Sequence, residues 1–389
     1  MELGSRFGER SRAESRGRGL VPWLCVFGTL GLLGCNVFDP SLVEGEVDLG
    51  EPTDLSTPEV DMRSLDGLRK VPSRPSGEDG GSIEPVLFAL RDVMLNQDGD
   101  RWREIGLDLD DLDTQLPDVE VECVPPDDSA EPQLDGEEGI DNVFGAELFP
   151  VVSLAVTDLQ ARARENHLAG LGTILLRASE WNGTANDPRL TIELTQAAAG
   201  TSADPGAVEF DGFDLVNVSD GLPAPAPEWD GGDHFFARDD TYFGGEPLVR
   251  DDNAYIADGV VVMRLPDRVN ILFFVGADAG INVRLTDAYA FATLDDEQMN
   301  LTTATVAGRW RTIDLIESGD NIGVCVGSAE RTIVENQLAK IADVRSTPDT
   351  GGPGVACDAV SLGVEFTGVR ASFADLGPSR PLPNPCAEP

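Results

Sequence analysis

Lysine is almost missing from this chain of 389 residues: Lys70 and Lys340 stand alone against 26 arginines. The 28 basic residues in turn face 70 acidic ones, for a formal net charge of −42. Such an acid excess repels nucleic acid, whose affinity for proteins comes from Lys and Arg on phosphate, and that partner is excluded. It also disfavours electrostatic docking on anionic lipid. Histidine is limited to His167 and His234. His167 ends a helical pattern, where a cation complements the helix dipole. No two of the six cysteines form a CxxC pair, so zinc ribbons and thioredoxin-type sites are absent and little remains for a catalytic zinc. GxSxG, P-loop and GxGxxG motifs are absent too, as is any internal repeat of propeller or solenoid length.

Long apolar runs are equally scarce, and the informative one is Leu20–Gly34. It is too short to span a bilayer, which takes roughly 20 residues, and it follows Arg6, Arg10, Arg12, Arg16 and Arg18. A basic stretch, an apolar stretch and a small residue before the cut make a cleavable signal. The run closes on Leu32-Leu33-Gly34-Cys35, which resembles the lipobox of bacterial lipoproteins. That resemblance covers the first 35 residues. It implies cleavage before Cys35, loss of Cys25 with the signal, and a diacylglyceryl Cys35 that usually carries a third, palmitate-like chain. Two or more chains anchor a protein stably, so the expected partner is the membrane through N-terminal lipid. Asn36 is not the aspartate that keeps some lipoproteins at the inner membrane, so the outer membrane or cell surface is expected. Five arginines and three glutamates precede Cys35, leaving 23 basic and 67 acidic residues in the mature chain.

Three parts follow: a signal peptide over 1–34, an acylated cysteine plus acidic tether over 35–81, and one domain over 82–389. The tether is rich in Asp, Glu, Pro, Ser and Gly and is expected to be disordered, with a reach of roughly 35–40 Å. In the domain, Phe88–Leu95, Gly172–Ala178, Arg189–Thr195, Gly259–Leu265, Arg268–Gly276, Ile281–Leu294 and Val360–Phe373 read as strands between Asn-Gly, Asp-Pro, Pro-Asp and Asp-Gly turns. Glu147–Leu168, Gly308–Ser318 and Glu330–Val344 read as helices. Many short strands with turn signals predict a mainly β fold, a β-sandwich of jelly-roll, lectin-like kind with two or three short helices. Trp181–Pro188, Gly139–Gly145, Ala307-Gly308-Arg309 and Cys357–Gly363 resemble segments of uncharacterised exported lipoproteins of myxobacterial type. That resemblance implies no function.

The acid is concentrated. Residues 95–142 hold 17 Asp and Glu against Arg101 and Arg103. Asn96, Asp98 and Asp100 place oxygens at alternate positions as calcium loops do, although Arg101 and Leu107 break the EF-hand pattern. With Asp108 and Asp110 they are candidate calcium ligands. Asp111 and Asp113 follow at once, and Asp135, Asp141 and Asn142 form a second cluster. Calcium is the one cofactor this pattern suggests. Trp229, Asp230, Asp233 and Phe235 combine rings and carboxylates as sugar sites do, or else pin a long loop. Around Trp310 sits a small basic cluster, in which Arg309 and Arg311 are expected to pair with carboxylates while Trp310, Ile313 and Ile316 pack inward. Cys123, Cys325, Cys357 and Cys386 are the disulfide candidates of the mature body, with Cys325–Cys357 and Cys123–Cys386 the favoured pairing. The functional expectation is a lipid-anchored, non-enzymatic binding or structural module of the envelope, recognising polysaccharide with calcium. The alternatives are a carboxylate-dependent hydrolase of extracellular polymer, with no catalytic residue assigned, and a passive component with an envelope protein as partner.

Overall fold

The computed structural model describes residues 67–77, 80–115, 120–155, 158–276, 279–382 and 384–386. The signal, Cys35 and the tether as far as residue 66 lie outside the described residues. Among the described residues fourteen strands follow in chain order: β1 (Val86–Met94), β2 (Ile174–Ser179), β3 (Asp187–Thr201), β4 (Val208–Asp211), β5 (Asp214–Asn217), β6 (His234–Arg238), β7 (Tyr242–Phe243), β8 (Glu246–Pro247), β9 (Val249–Ala257), β10 (Val260–Arg264), β11 (Asn270–Gly276), β12 (Ala279–Leu294), β13 (Asn300–Arg311) and β14 (Ala359–Gly377).

Eight of them close into a ring of antiparallel pairs: β1, β2, β3, β9, β10, β12, β13 and β14, with β14 returning to β1. This corrects the expected jelly-roll sandwich. An open sandwich leaves edges on both sheets, whereas here Leu87 pairs with Ala371 and Met94 with Glu365, sealing first strand to last. Closure removes the edges that an open sheet must protect. Additional strands lean on the barrel: β11 against β12, β6 between β3 and β14, and the hairpins β4–β5 and β7–β8.

The strands owe their positions to an inward alternation adjusted by bulges. Val86, Phe88 and Leu90 of β1 point into the core. A register shift between Leu90 and Asp92 then moves Val93 and Leu95 inward as well, the parity change that one inserted residue produces. The outward residues Leu87 and Ala89 are covered by Phe235 and Ala237 of β6, so much of the wall is apolar on both faces. The β9–β10 hairpin turns at Asp258 (φ 48°) and Gly259 (φ 83°), a two-residue loop with both φ values positive.

Four helices add their apolar sides to the barrel's interior: α1 (Phe149–Ala155), entered through a π-helical turn at Phe144–Leu148, α2 (Leu159–Leu168), α3 (Thr312–Ser318) and α4 (Ala329–Ile341). The continuous helix expected over Glu147–Leu168 is interrupted, because Asp158 is left-handed (φ 60°) and ends any α-helical run. The helix expected at Gly308–Ser318 begins at Thr312, since Gly308–Arg311 finish β13. Among the described residues no helix is long and apolar enough to cross a membrane.

The disulfides are Cys123–Cys357 and Cys325–Cys386, which corrects the favoured pairing to another of the three possible ones. Val124 bridges Ala356 and its carbonyl accepts from Cys357 N, which lays the two strands of irregular chain side by side. Cys325, just ahead of α4, meets the returning C-terminal segment instead. Residues 67–77, the tether's end in sequence terms, lie along the barrel. Tyr255 Oη donates to Pro72 O at 2.6 Å, and Arg74 donates to Pro188 O at 2.5 Å and stacks over the Tyr255 ring.

Candidate functional site

The acid-rich segment folds back on itself outside the barrel. Leu107 and Asp141 form an isolated antiparallel bridge, with Asp141 N donating to Leu107 O at 3.0 Å. The Asp141 carboxylate in turn accepts from Leu109 N at 2.7 Å. A series of side-chain-capped turns then winds the following residues around the same point. Asp108 Oδ1 accepts from Asp111 N at 2.8 Å, Asp110 Oδ1 from Leu112 N at 3.0 Å, and Asp135 Oδ2 from Thr114 N at 2.7 Å. Asp108 and Asp110 hold such turns because a short side-chain oxygen reaches a backbone N–H two or three residues on, whereas Asp135 ties in a segment 21 residues away. Asn142 secures the base, receiving Gly363 N on its oxygen at 3.0 Å and donating to Ile105 O at 2.8 Å. Gly363 has to be glycine at this contact, since a Cβ there would stand 2.3 Å from Ile105 O.

The outcome is a convergence of Asp108, Asp110 and Asp141, with one carboxylate oxygen from each lying within 4.8 Å of the others. Two oxygens on opposite sides of a bound calcium are about 5 Å apart, given Ca–O distances of roughly 2.3–2.6 Å. Asp141 and Asp108 are both buried, 4% and 3% exposed. Lys70 reaches in from the 67–77 segment, its ammonium 3.0 Å from Asp108 Oδ2 and 2.7 Å from Asp111 Oδ1. Lys70 Nζ also donates to Asp108 O at 2.8 Å, so it is held against both the backbone and the carboxylate of that residue.

One lysine does not balance so much acid. Burial, then the charges of Asp135 and Asp108, push Asp110 up to about 8. Burial raises Asp135 to about 6 against the hydrogen bonds from Thr114. Asp141 is raised well above the carboxylate range by burial and by Asp110 and Asp135. Behind them burial takes Asp343 to about 7, although Ser361 N and Oγ both donate to it. Burial alone would lower Lys70; the hydrogen bond to Asp111 and the charge of Asp108 outweigh it and hold its pKa above the usual value. The cluster therefore keeps protons near neutral pH, which a divalent cation would displace.

Asp108 and Asp110 also line a cleft of about 520 Å³ together with Glu122, Asp287, Tyr289 and Arg309. Arg309 is 1% exposed and grips Glu122 at 2.8 and 2.9 Å, while its second terminal nitrogen donates to Leu109 O. Arg345 N adds a donor to Glu122 at 2.8 Å. The cleft thus joins a cation-seeking cluster to a rigid wall of paired charges and one aromatic ring.

The other sequence candidates lie elsewhere. Asn96, Asp98 and Asp100 sit on an exposed turn in which Asn96 Nδ2 donates to Asp98 Oδ2 at 2.8 Å, and they are not part of the convergence. Trp229 donates its indole N–H to Leu168 O at 3.1 Å and packs 5.5 Å from the Phe235 ring. Asp233 spends both oxygens on Glu228 N and Trp229 N, at 2.9 and 2.6 Å. Phe235 and Asp233 are buried, and of this group only Asp230 is exposed. Asp141 and Asp135 carried a signal in the sequence as a separate cluster, whereas Lys70, Glu122 and Arg309 were not marked as neighbours of the acid. Comparison with protein-family models, with curated proteins and with solved structures finds no match.

Proposed function

We propose that this chain is a lipid-anchored, exported envelope protein whose barrel presents a calcium-dependent binding cleft for polysaccharide. The convergence of Asp108, Asp110 and Asp141 within 4.8 Å, with Asp108 and Asp110 lining a 520 Å³ cleft, carries this reading. Calcium favours several hard oxygens over nitrogen or sulfur, and the three carboxylates offer oxygen alone. A cation seated there would leave coordination positions for sugar hydroxyls, with Tyr289 as a stacking face beside it. Two disulfides accord with an oxidising, exported compartment, and Cys35 is the residue that would carry the lipid.

The test is the melting temperature of the full chain in millimolar calcium, in magnesium and in EDTA. Calcium at 100 times its dissociation constant adds about 2.7 kcal/mol, or roughly 5 °C for a domain of this size. Asp141→Asn keeps the bond to Leu109 N but removes a ligand charge, so its melting in EDTA is no lower and its calcium response disappears. A flat response to calcium in the unsubstituted chain would sink the reading. A glycan screen with and without calcium then addresses the ligand class.

A second reading rests on Asp110, which near pH 7 keeps the proton a general acid must donate. It makes the same cleft that of a carboxylate-dependent hydrolase. Release of reducing ends from an extracellular polymer, abolished by Asp110→Asn, would select it over binding alone.

A further inference from the structure

Lys70 places a cation of the chain's own at the point where the acid converges. Asp108 Oδ1 takes the loop's backbone N–H groups, from Asp111 at 2.8 Å and from Asp110 at 3.2 Å, and Oδ2 faces the Lys70 ammonium at 3.0 Å. A calcium on Oδ2, at roughly 2.3–2.6 Å, would stand no more than about 5.6 Å from that ammonium. Like charges so close repel strongly within a protein. The strap that carries Lys70, residues 67–77, has two halves. Arg69 N donates to Glu138 O at 2.8 Å and Arg69 O accepts from Asp108 N at 2.9 Å, which fastens the upstream half to the acid-rich segment. Tyr255 Oη donates to Pro72 O and Arg74 lies over the Tyr255 ring, which fastens the downstream half to the barrel. Between them Lys70 and Val71 line the same cleft as Asp108 and Asp110, and Val71 packs on the apolar cluster that also supports Tyr289.

We propose that Lys70 is a built-in competitor for the cation site: a divalent ion entering among Asp108, Asp110 and Asp141 expels its ammonium, and residues 69–71 loosen from the cleft wall. This inference rests on the calcium reading of that site and adds its regulation. The choice of side chain suits the exchange. In a chain with 26 arginines and two lysines, the cation here is a compact, strongly hydrated ammonium on a flexible stem, where arginine would bring a planar fork that grips a carboxylate twice. Water lies close by, since the Lys70 side chain is 29% and that of Asp111 81% exposed. An ion pair so open to solvent holds little once Asp108 is lost. Because Val71 follows Lys70 along the cleft, its withdrawal widens the space beside Tyr289. A ligand that uses that ring then finds more room after the ion has entered, which makes its binding depend on calcium.

The test combines proteolysis and calorimetry on the full chain. A lysine-specific protease has two target bonds in the whole sequence, after Lys70 and after Lys340, and the second, on α4, is the internal control. Saturating calcium should speed the cut after Lys70 several-fold over EDTA, relative to the cut after Lys340, and release residues 71–389 as read by mass after reduction. Lys70→Met keeps the length of the stem and removes the charge. It should bind calcium roughly 2–5-fold more tightly, the worth of a partly exposed ion pair, and binding by this variant alone is the same result in its extreme form. Should Lys70→Met fail to fold, the cleavage rates of the unsubstituted chain still decide. If calcium binds yet the bond after Lys70 is cut no faster, or Lys70→Met binds it no more tightly, the inference falls and the calcium reading stands. Calcium binding by neither chain removes both.

Discussion

Arg309 illustrates how single side chains make this molecule's charge tolerable. It lies almost wholly buried on β13, yet its guanidinium is committed to Glu122, to Arg345 O at 2.6 Å and to Leu109 O. A buried ion pair gives little net stability, but breaking one side leaves an uncompensated charge. Arg309→Met is therefore expected to cost about 3–5 kcal/mol, measured by urea denaturation at pH 7. A loss within experimental error of zero would mean that Glu122 is hydrated without it. Part of this was legible, since Arg309 and Arg311 were expected to pair with acids, and Arg311 does lie 3.7 Å from Asp314. Trp310 packs inward as its apolar neighbours suggested, but Ile313 is exposed. The helical spacing that grouped them ran across the end of a strand. Lys70 was illegible for a different reason. Nothing in a stretch of Pro, Ser and Arg announces that one ammonium will lie between Asp108 and Asp111, 38 and 41 positions away.

Between elements, local pattern and long-range pairing part company. Most strands were visible because alternating apolar residues and Gly or Asp turns are short-range signals. The order in which strands pair was not visible, because a β1–β14 seam joins residues that no periodicity relates. Bulges hide the pattern further by reversing which parity faces inward, as in β1. The disulfides are the covalent counterpart of that problem. Cys123–Cys357 joins positions 234 apart and ties the Glu122 loop to the 351–357 loop that walls the cleft. Replacing both cysteines by serine should lower stability by about 2–5 kcal/mol, read by urea denaturation. The same change should weaken any calcium response, because Glu122 and the cleft lip lose their common anchor. An unchanged calcium response in the disulfide-free variant would show that the Asp108–Asp141 bridge alone preserves the site.

The net charge of the whole chain makes its stability a question of pH and of cations. Three carboxylates have folded-state pKa values raised to about 6, 7 and 8, in Asp135, Asp343 and Asp110, whereas the unfolded chain releases these protons near 4. A raised carboxylate holds protons in the native state that the unfolded state has lost, so stability falls as pH rises through that interval. His167 works in the opposite sense. Burial lowers it to about 4, so its contribution is complete above pH 6.5 and is lost as pH falls toward 4. Between pH 6.5 and 8 the histidine is silent and the carboxylates act alone. In EDTA the melting temperature should drop across that window, and Asp343→Asn should shallow the drop by removing one of the titrating groups. In calcium the drop should flatten or reverse, since a cation that replaces protons binds more strongly as they leave. A melting temperature that falls equally in calcium and in EDTA would separate the protons from the cation. The raised carboxylates would then be a consequence of burial with no ligand to relieve them.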